Sequence, residues 1–221
     1  LSKRNGSRAL GEPREAGYLP EAVLNYLARL GHHDDDDTLR DRDSLAASFS
    51  EQRLTRAPAR FDAGQLERWQ REAVAGLSAE RAAEWMRMVA GDAWPGDDAE
   101  LVAVIRGNVR FPEDVHQWLG ILRGEPASPD DAALAWLRQA GPDFFHAAAA
   151  AEGDWQAVTT ATREATGARG KGLFMPLRVA LTGLTHGPEL PRIHAYLGAA
   201  EAARRFRIAA ALAGDVPDQR T

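Results

Sequence analysis

Apolar residues recur at three- and four-residue spacing along most of the chain, which predicts helices. In residues 19–31, Val23, Leu24, Tyr26, Leu27 and Leu30 share one face, Pro20 suits the first helical position and Gly31 the stop. His32-His33-Asp34-Asp35-Asp36-Asp37 follows, and its like charges predict an exposed loop. Asp43 or Ser44 can cap a short helix carrying Leu45 and Phe49, and residues 61–76 align Phe61, Leu66, Trp69 and Val74. Ser78 caps a helix with Ala82, Trp85, Met86 and Val89 that ends near Gly91.

The second half continues the pattern. Asp97-Asp98 starts a helix through Leu101, Val104 and Ile105, and Pro112 opens one bearing Val115, Trp118, Leu119 and Leu122 that stops at Gly124. Ser128 reads as the N-cap of the next helix, with Pro129 in its first turn and Asp130-Asp131 against its dipole. Gly141-Pro142 ends that helix and begins another, and Asp154 caps a helix stopped by Gly167. A glycine-rich turn at 167–172, a segment around 177–181 and a helical region from 191 to 213 complete the chain. No stretch alternates with period two, so the expected fold class is all-α (mainly), with at most one short strand pairing. Breaks at Gly91, Pro95 and Gly96 predict a boundary near 91–98, with a weaker one at 124–129.

Composition narrows the function classes. The 221 residues allow one large or two small domains, at about 100–200 residues each. The absence of cysteine excludes disulfides and thiolate metal sites. No apolar run reaches the roughly 18–20 residues of a membrane span, and no apolar stretch follows the basic start to make a signal peptide. A soluble, cytoplasmic protein is expected. The chain opens at Leu1 without methionine, which predicts that an N-terminal part is missing.

Charge is unevenly spread. Residues 1–162 hold 18 basic against 27 acidic groups, whereas residues 163–207 hold 8 against 3. Of 27 basic residues, 25 are arginine; the lysines are Lys3 and Lys171. The overall net charge of −5 therefore conceals a basic region suited to nucleic acid.

Most candidate chemistry has an ordinary structural explanation. The His-Asp run lacks the converging spacing of a metal site, His116, His146, His186 and His194 are scattered, and the six tryptophans fall largely on apolar helix faces. Two segments differ. Leu1-Ser2-Lys3-Arg4-Asn5-Gly6-Ser7 places a mobile ammonium in a loop-like run, suited to phosphate oxygens. Residues 167–178 set Arg169, Lys171 and Arg178 on a glycine-rich turn and its sequel, suited to a nucleic-acid backbone but without P-loop spacing.

Together these segments resemble the C-terminal half of a bacterial glutamyl-tRNA synthetase, a class I aminoacyl-tRNA synthetase. Leu1-Ser2-Lys3-Arg4 is similar to the end of the family's Lys-Leu-Ser-Lys-Arg signature loop. Gly17-Tyr18-Leu19-Pro20-Glu21-Ala22-Val23-Leu24-Asn25-Tyr26-Leu27-Ala28-Arg29-Leu30-Gly31 resembles the helix after it. Arg60-Phe61-Asp62 matches a further signature, and residues 170–188 resemble the anticodon-end segment.

The resemblance implies a ligase that uses ATP with Mg2+ to form glutamyl-adenylate and then charges tRNA(Glu), with tRNA(Gln) as a second candidate. It implies that Lys3 is the catalytic, ATP-holding lysine, with Leu1, Ser2 and Arg4 in the same loop. It further implies a stem-contact region over residues 1–75, and anticodon-binding helical subdomains over 76–124 and 125–221. Arg178 matches an arginine that contacts anticodon bases, and Gly187, Pro188 and Leu190 match a loop against them. Arg169 and Lys171 are expected on phosphates, and Arg106 or Arg110 near the third anticodon base. No metal is expected on this part, and a monomer is. Without the main catalytic domain, the chain alone is expected not to aminoacylate. The competing reading is a non-catalytic all-α RNA-binding or adaptor module derived from such an enzyme.

Overall fold

The computed structural model describes residues 11–55, 60–96 and 99–214. Among them thirteen α-helices alternate with short turns and 3-10 segments, and the sole β pairing is an isolated bridge between His32 and Leu54. No helix is long and apolar enough to cross a membrane. The described chain divides into two compact units: one ends at Trp94 and takes in Val109–Val115, and the other comprises Pro95–Asn108 and everything from His116 onward. The break at Gly91, Pro95 and Gly96 coincides with that division.

The first unit holds α1 (Gly11–Glu15), α2 (Pro20–Arg29), α3 (Arg42–Ser48), α4 (Ala63–Ala75) and α5 (Ala79–Ala90). Its centre is the α2–α4 contact, where Ala22 and Tyr26 meet Leu66, Trp69 and Val74 in the core. Two buried amides fasten the surrounding loops. Gln70 accepts the Leu19 amide at 2.8 Å and donates to the carbonyls of Gly17 and Arg110. Asn25 donates to the carbonyls of Glu21 and Arg40 and accepts the Arg40 amide. The Tyr26 hydroxyl accepts the Asp62 amide at 2.8 Å, while the Asp62 carboxylate caps α4 at Gln65. Thus the segment at 17–31 and the Arg60-Phe61-Asp62 motif are parts of one joint.

The acidic loop is exposed at Asp35, Asp36 and Asp37, as its charge predicts, and departs from that reading at Asp34. Asp34 is nearly buried, paired with Arg40 and facing Arg29, and Asp37 pairs with Arg68 at 2.7 Å. Arg29 and Arg68 in turn lie 4.3 and 4.8 Å from the ring centre of the fully buried Trp69. Arginines thus offset Asp34 and Asp37, and the tryptophan face holds two of them, Arg29 and Arg68. Asp41, not Asp43 or Ser44, caps α3 through the Ser44 amide.

Helix α7 (Pro112–Arg123) begins in the first unit and continues in the second. The second unit also holds α6 (Ala99–Ile105), α8 (Asp131–Ala140), α9 (Pro142–Ala150), α10 (Trp155–Thr166), α11 (Lys171–Thr182), α12 (Leu190–Leu197) and α13 (Ala199–Gly214). The expected helix start at Asp97-Asp98 lies outside the described residues. Asp130, rather than Ser128, caps α8 by accepting the Ala133 amide at 2.8 Å. The final helical region is two helices, separated at Gly198. The α13 helix lies along α8, α9 and α11 around Phe144, Phe145, Leu177, Leu181 and Phe206.

Arg205 is the polar centre of this unit, 1% exposed. Its guanidinium donates to the carbonyls of Leu181, Ile121 and Gly124 at 2.6, 2.8 and 2.9 Å, and to Glu201 at 2.7 Å. One cation therefore satisfies carbonyls at the C-terminal ends of both α7 and α11, where helices carry unpaired acceptors and partial negative charge.

Candidate RNA-binding surface

Helix α11 starts earlier than the glycine-rich turn predicts: Lys171 and Gly172 form its first turn, behind Gly170 at φ 53°. Pro176 sits inside the helix and removes one amide donor, but the acceptor it leaves is on exposed Gly172 at the open end. Leu173, Leu177 and Leu181 face the core. Lys171, Phe174, Met175 and Arg178 fall at i, i+3, i+4 and i+7 and make the opposite stripe.

Arg178 is half-buried, and its Nη1 donates to the Pro188 carbonyl at 2.8 Å. Among the described residues no carboxylate pairs with it, and the rest of its planar fork has no protein acceptor. Burial pulls its pKa below the ordinary arginine value. Guanidinium stays charged through such a shift, so the site holds an uncompensated cation with donors to spare.

The loop that Arg178 holds is shaped from both ends. Gly183 closes α11 in the left-handed conformation, φ 77°, with its amide on the Val179 carbonyl at 2.7 Å. The Thr182 hydroxyl donates to the Arg178 carbonyl and accepts the Leu184 amide. Gly187, φ 135°, lies against the indole of Trp118, where a Cβ would be 2.7 Å from Cζ2. Pro188 and Leu190 are buried, so what they offer a ligand is loop shape rather than side-chain surface.

Beyond the loop, Arg192 pairs with Glu189 at 3.1 Å and donates to the Ala103 carbonyl at 3.0 Å. A depression of about 350 Å³ opens there, lined by Arg106, Gly107, Asn108, Glu189 and Arg192 among others. Arg106 is thereby brought beside the 187–190 loop. Arg110 belongs to the other compact unit, where its amide meets Asp114 and its carbonyl Gln70. Arg169 and Lys171 are exposed, and neither has a hydrogen-bonding or ion-pairing partner among the described residues. Leu1, Ser2, Lys3 and Arg4 lie outside the described residues.

The basic region at 163–207 thus separates into two kinds of cation. Arg192, Arg204 and Arg205 are paired with Glu189, Glu125 and Glu201. Arg163, Arg169, Lys171, Arg178 and Arg207 have no carboxylate partner among the described residues. The sequence places Trp118 in the core and does not single out Arg205, because their partners, Gly187 and the two helix ends, are distant along the chain. A second hollow of about 540 Å³ is lined by Asp154, Trp155, Gln156, Pro191 and His194 among others. Burial lowers the His194 pKa, so the hollow carries an acid and a neutral imidazole, an unsuitable lining for phosphates.

Residues 78–210 match the family model described as "Anticodon binding domain". "Glutamate--tRNA ligase 2" of Nitrosococcus oceani is 45% identical over 212 residues, 94% of this chain and 45% of the relative. "Glutamate--tRNA ligase 2" of Alkalilimnicola ehrlichii is 47% identical over 227 residues, 98% of this chain and 47% of the relative. The chain spans about half the length of the curated relatives it matches. A glutamate-tRNA synthetase structure from Elizabethkingia anophelis superposes with a TM-score of 0.72 at 22% identity, covering 95% of this chain and 44% of that one, and shows the same helical fold. With well over half its length matched by one family model, the chain belongs to the anticodon binding domain family.

Proposed function

We propose that this chain is the tRNA-binding portion of a glutamyl-tRNA synthetase, with the α11 stripe and the 183–190 loop as its anticodon surface. The observation that carries the reading is Arg178: a half-buried cation without a carboxylate, oriented by a loop carbonyl and flanked by unpaired Arg169 and Lys171. Its fork is suited to base edges or to stacking on splayed bases, while the two exposed cations suit phosphates. Arg106 approaches the same bases from across the depression, and Gly187, Pro188 and Leu190 shape the loop. Residues 76–124 and 125–221 act as the anticodon-binding subdomains and residues 1–75 as the stem-contact region. Curated relatives named as glutamate–tRNA ligases support this assignment.

In the complete enzyme, glutamate joined to AMP from ATP is passed to tRNA(Glu), or to tRNA(Gln). ATP and Mg2+ belong to the catalytic part, with Lys3 at its edge. We place the enzyme in the cytoplasm as a monomer. The test is filter binding of the chain to tRNA(Glu), tRNA(Gln) and an unrelated tRNA. Preference for one of the first two, lost when its anticodon bases are exchanged, supports the reading. Equal binding of all three overturns it.

A further inference from the structure

Phe174 is 44% exposed, among the most exposed large apolar side chains of the second unit. It stands between Lys171 and Arg178 on one α11 face, one turn from each, and the whole stripe runs about 10 Å along the axis. Core packing does not explain it: the buried apolar face of α11 is carried by Leu173, Leu177 and Leu181. Nor is it framed by other large exposed apolar residues of its helix; its helical neighbours at i−3 and i+4 are cations without carboxylate partners.

An exposed aromatic bracketed by unpaired cations has the two components that single-stranded nucleic acid requires: charge that follows the backbone and a π-face that accepts a base. Building on the proposed anticodon surface, we propose that Phe174 is a stacking platform for an unpaired RNA base, adding a contact to those expected at Arg178 and the 187–190 loop. The cations make RNA, rather than an apolar protein segment, the fitting occupant. Lys171 and Arg169 hold the phosphate on one side, Arg178 engages the neighbouring base on the other, and the ring takes the base between. Stacking reads no base edge, so Phe174 contributes affinity with little preference for base identity.

The experiment measures binding of the full 221-residue chain to an anticodon stem–loop RNA and to a hairpin of unrelated loop sequence. Phe174→Ala and Phe174→Leu are expected to weaken stem–loop binding by about 5- to 100-fold, while Phe174→Tyr and Phe174→Trp stay within about twofold of wild type. The salt dependence should be unchanged in Phe174→Ala, which separates stacking from charge. Thermal melts establish that each variant folds; if Phe174→Ala does not, the Leu, Tyr and Trp comparison decides. Wild-type affinity in Phe174→Leu overturns the platform and leaves the anticodon surface intact. Failure of the wild-type chain to prefer the anticodon stem–loop overturns both.

Discussion

Gly187 lies against the Trp118 ring so closely that a Cβ would fall 2.7 Å from Cζ2 and overlap Cη2, and its φ of 135° is one that L side chains rarely adopt. The α7 indole thus serves as the back wall of the loop that Arg178 holds from the α11 side. Gly187→Ala should cost about 1–3 kcal/mol, measured by urea unfolding, and should weaken RNA binding as the loop moves off the wall. Trp118→Phe removes the overlapping edge of the ring and should recover part of the loss in the double variant. Additive effects would show that the two residues are not coupled.

Replacement of Arg178 tests base reading. Arg178→Ala should weaken binding of the cognate tRNA by about 1–3 kcal/mol and that of a noncognate tRNA by less. Arg178→Lys keeps the charge but loses the fork, so it should restore little of the discrimination. An equal loss for both tRNAs would assign Arg178 to the backbone instead.

Lys171→Ala should lower affinity for every tRNA alike and make the slope of log binding constant against log salt shallower by about 0.7–0.9. The same is expected of Arg169→Ala. An unchanged slope would show that these exposed cations do not meet phosphates.

Arg205→Met should destabilise the chain by about 3–5 kcal/mol in urea, because it strands the carbonyls of Leu181, Ile121 and Gly124 and leaves Glu201 without one partner. The pH dependence follows. Hydrogen bonds from Arg204, foremost, and Arg205 hold the Glu201 pKa at about 2, against an ordinary 4.5. The folded state therefore binds its proton less readily than the unfolded one. The stabilisation is complete above pH 4.5 and is lost as pH falls from there toward about 2. Glu201→Gln should flatten unfolding free energy across that window.

His194 supplies a separate window. Burial lowers its pKa from 6.5, partly offset by Asp154, so the folded state keeps the imidazole neutral where the unfolded state protonates it. Stability should decline as pH falls below about 6.5, and His194→Gln should remove that component. An identical pH profile in the variant would exclude His194 as its source.

Local chemistry explains how much of this was legible. Ser78 and Asp154 are read as caps because each immediately precedes the apolar repeat of its helix, and each accepts an amide of that helix's first turn; Gly167 is read as a stop and takes the left-handed φ of 72° that suits glycine. Where neighbouring residues offer the same chemistry, position alone does not choose: Asp41 and Asp130 are the caps of α3 and α8, not Asp43, Ser44 or Ser128. The acidic loop is exposed as read except at Asp34, which the Arg29 and Arg40 guanidiniums draw inward, a pairing that the run of like charges does not announce. At the candidate site, the family resemblance names Arg178, Gly187 and Pro188, and the hydrogen bond from Arg178 to the Pro188 carbonyl ties the helix to that loop. Their partner Trp118 shares a helix stripe with ordinary core residues, and only the folded chain separates it from them.

The arginine bias gives exposed Lys171 a practical meaning. It is the one lysine among the described residues, and it opens the α11 stripe. Amine-selective dyes, which pass over guanidinium groups, would therefore attach within the described fold at this place alone. The composition leaves a natural chemical handle at the edge of the proposed RNA surface, where a fluorophore would report the arrival of a ligand without any engineered cysteine.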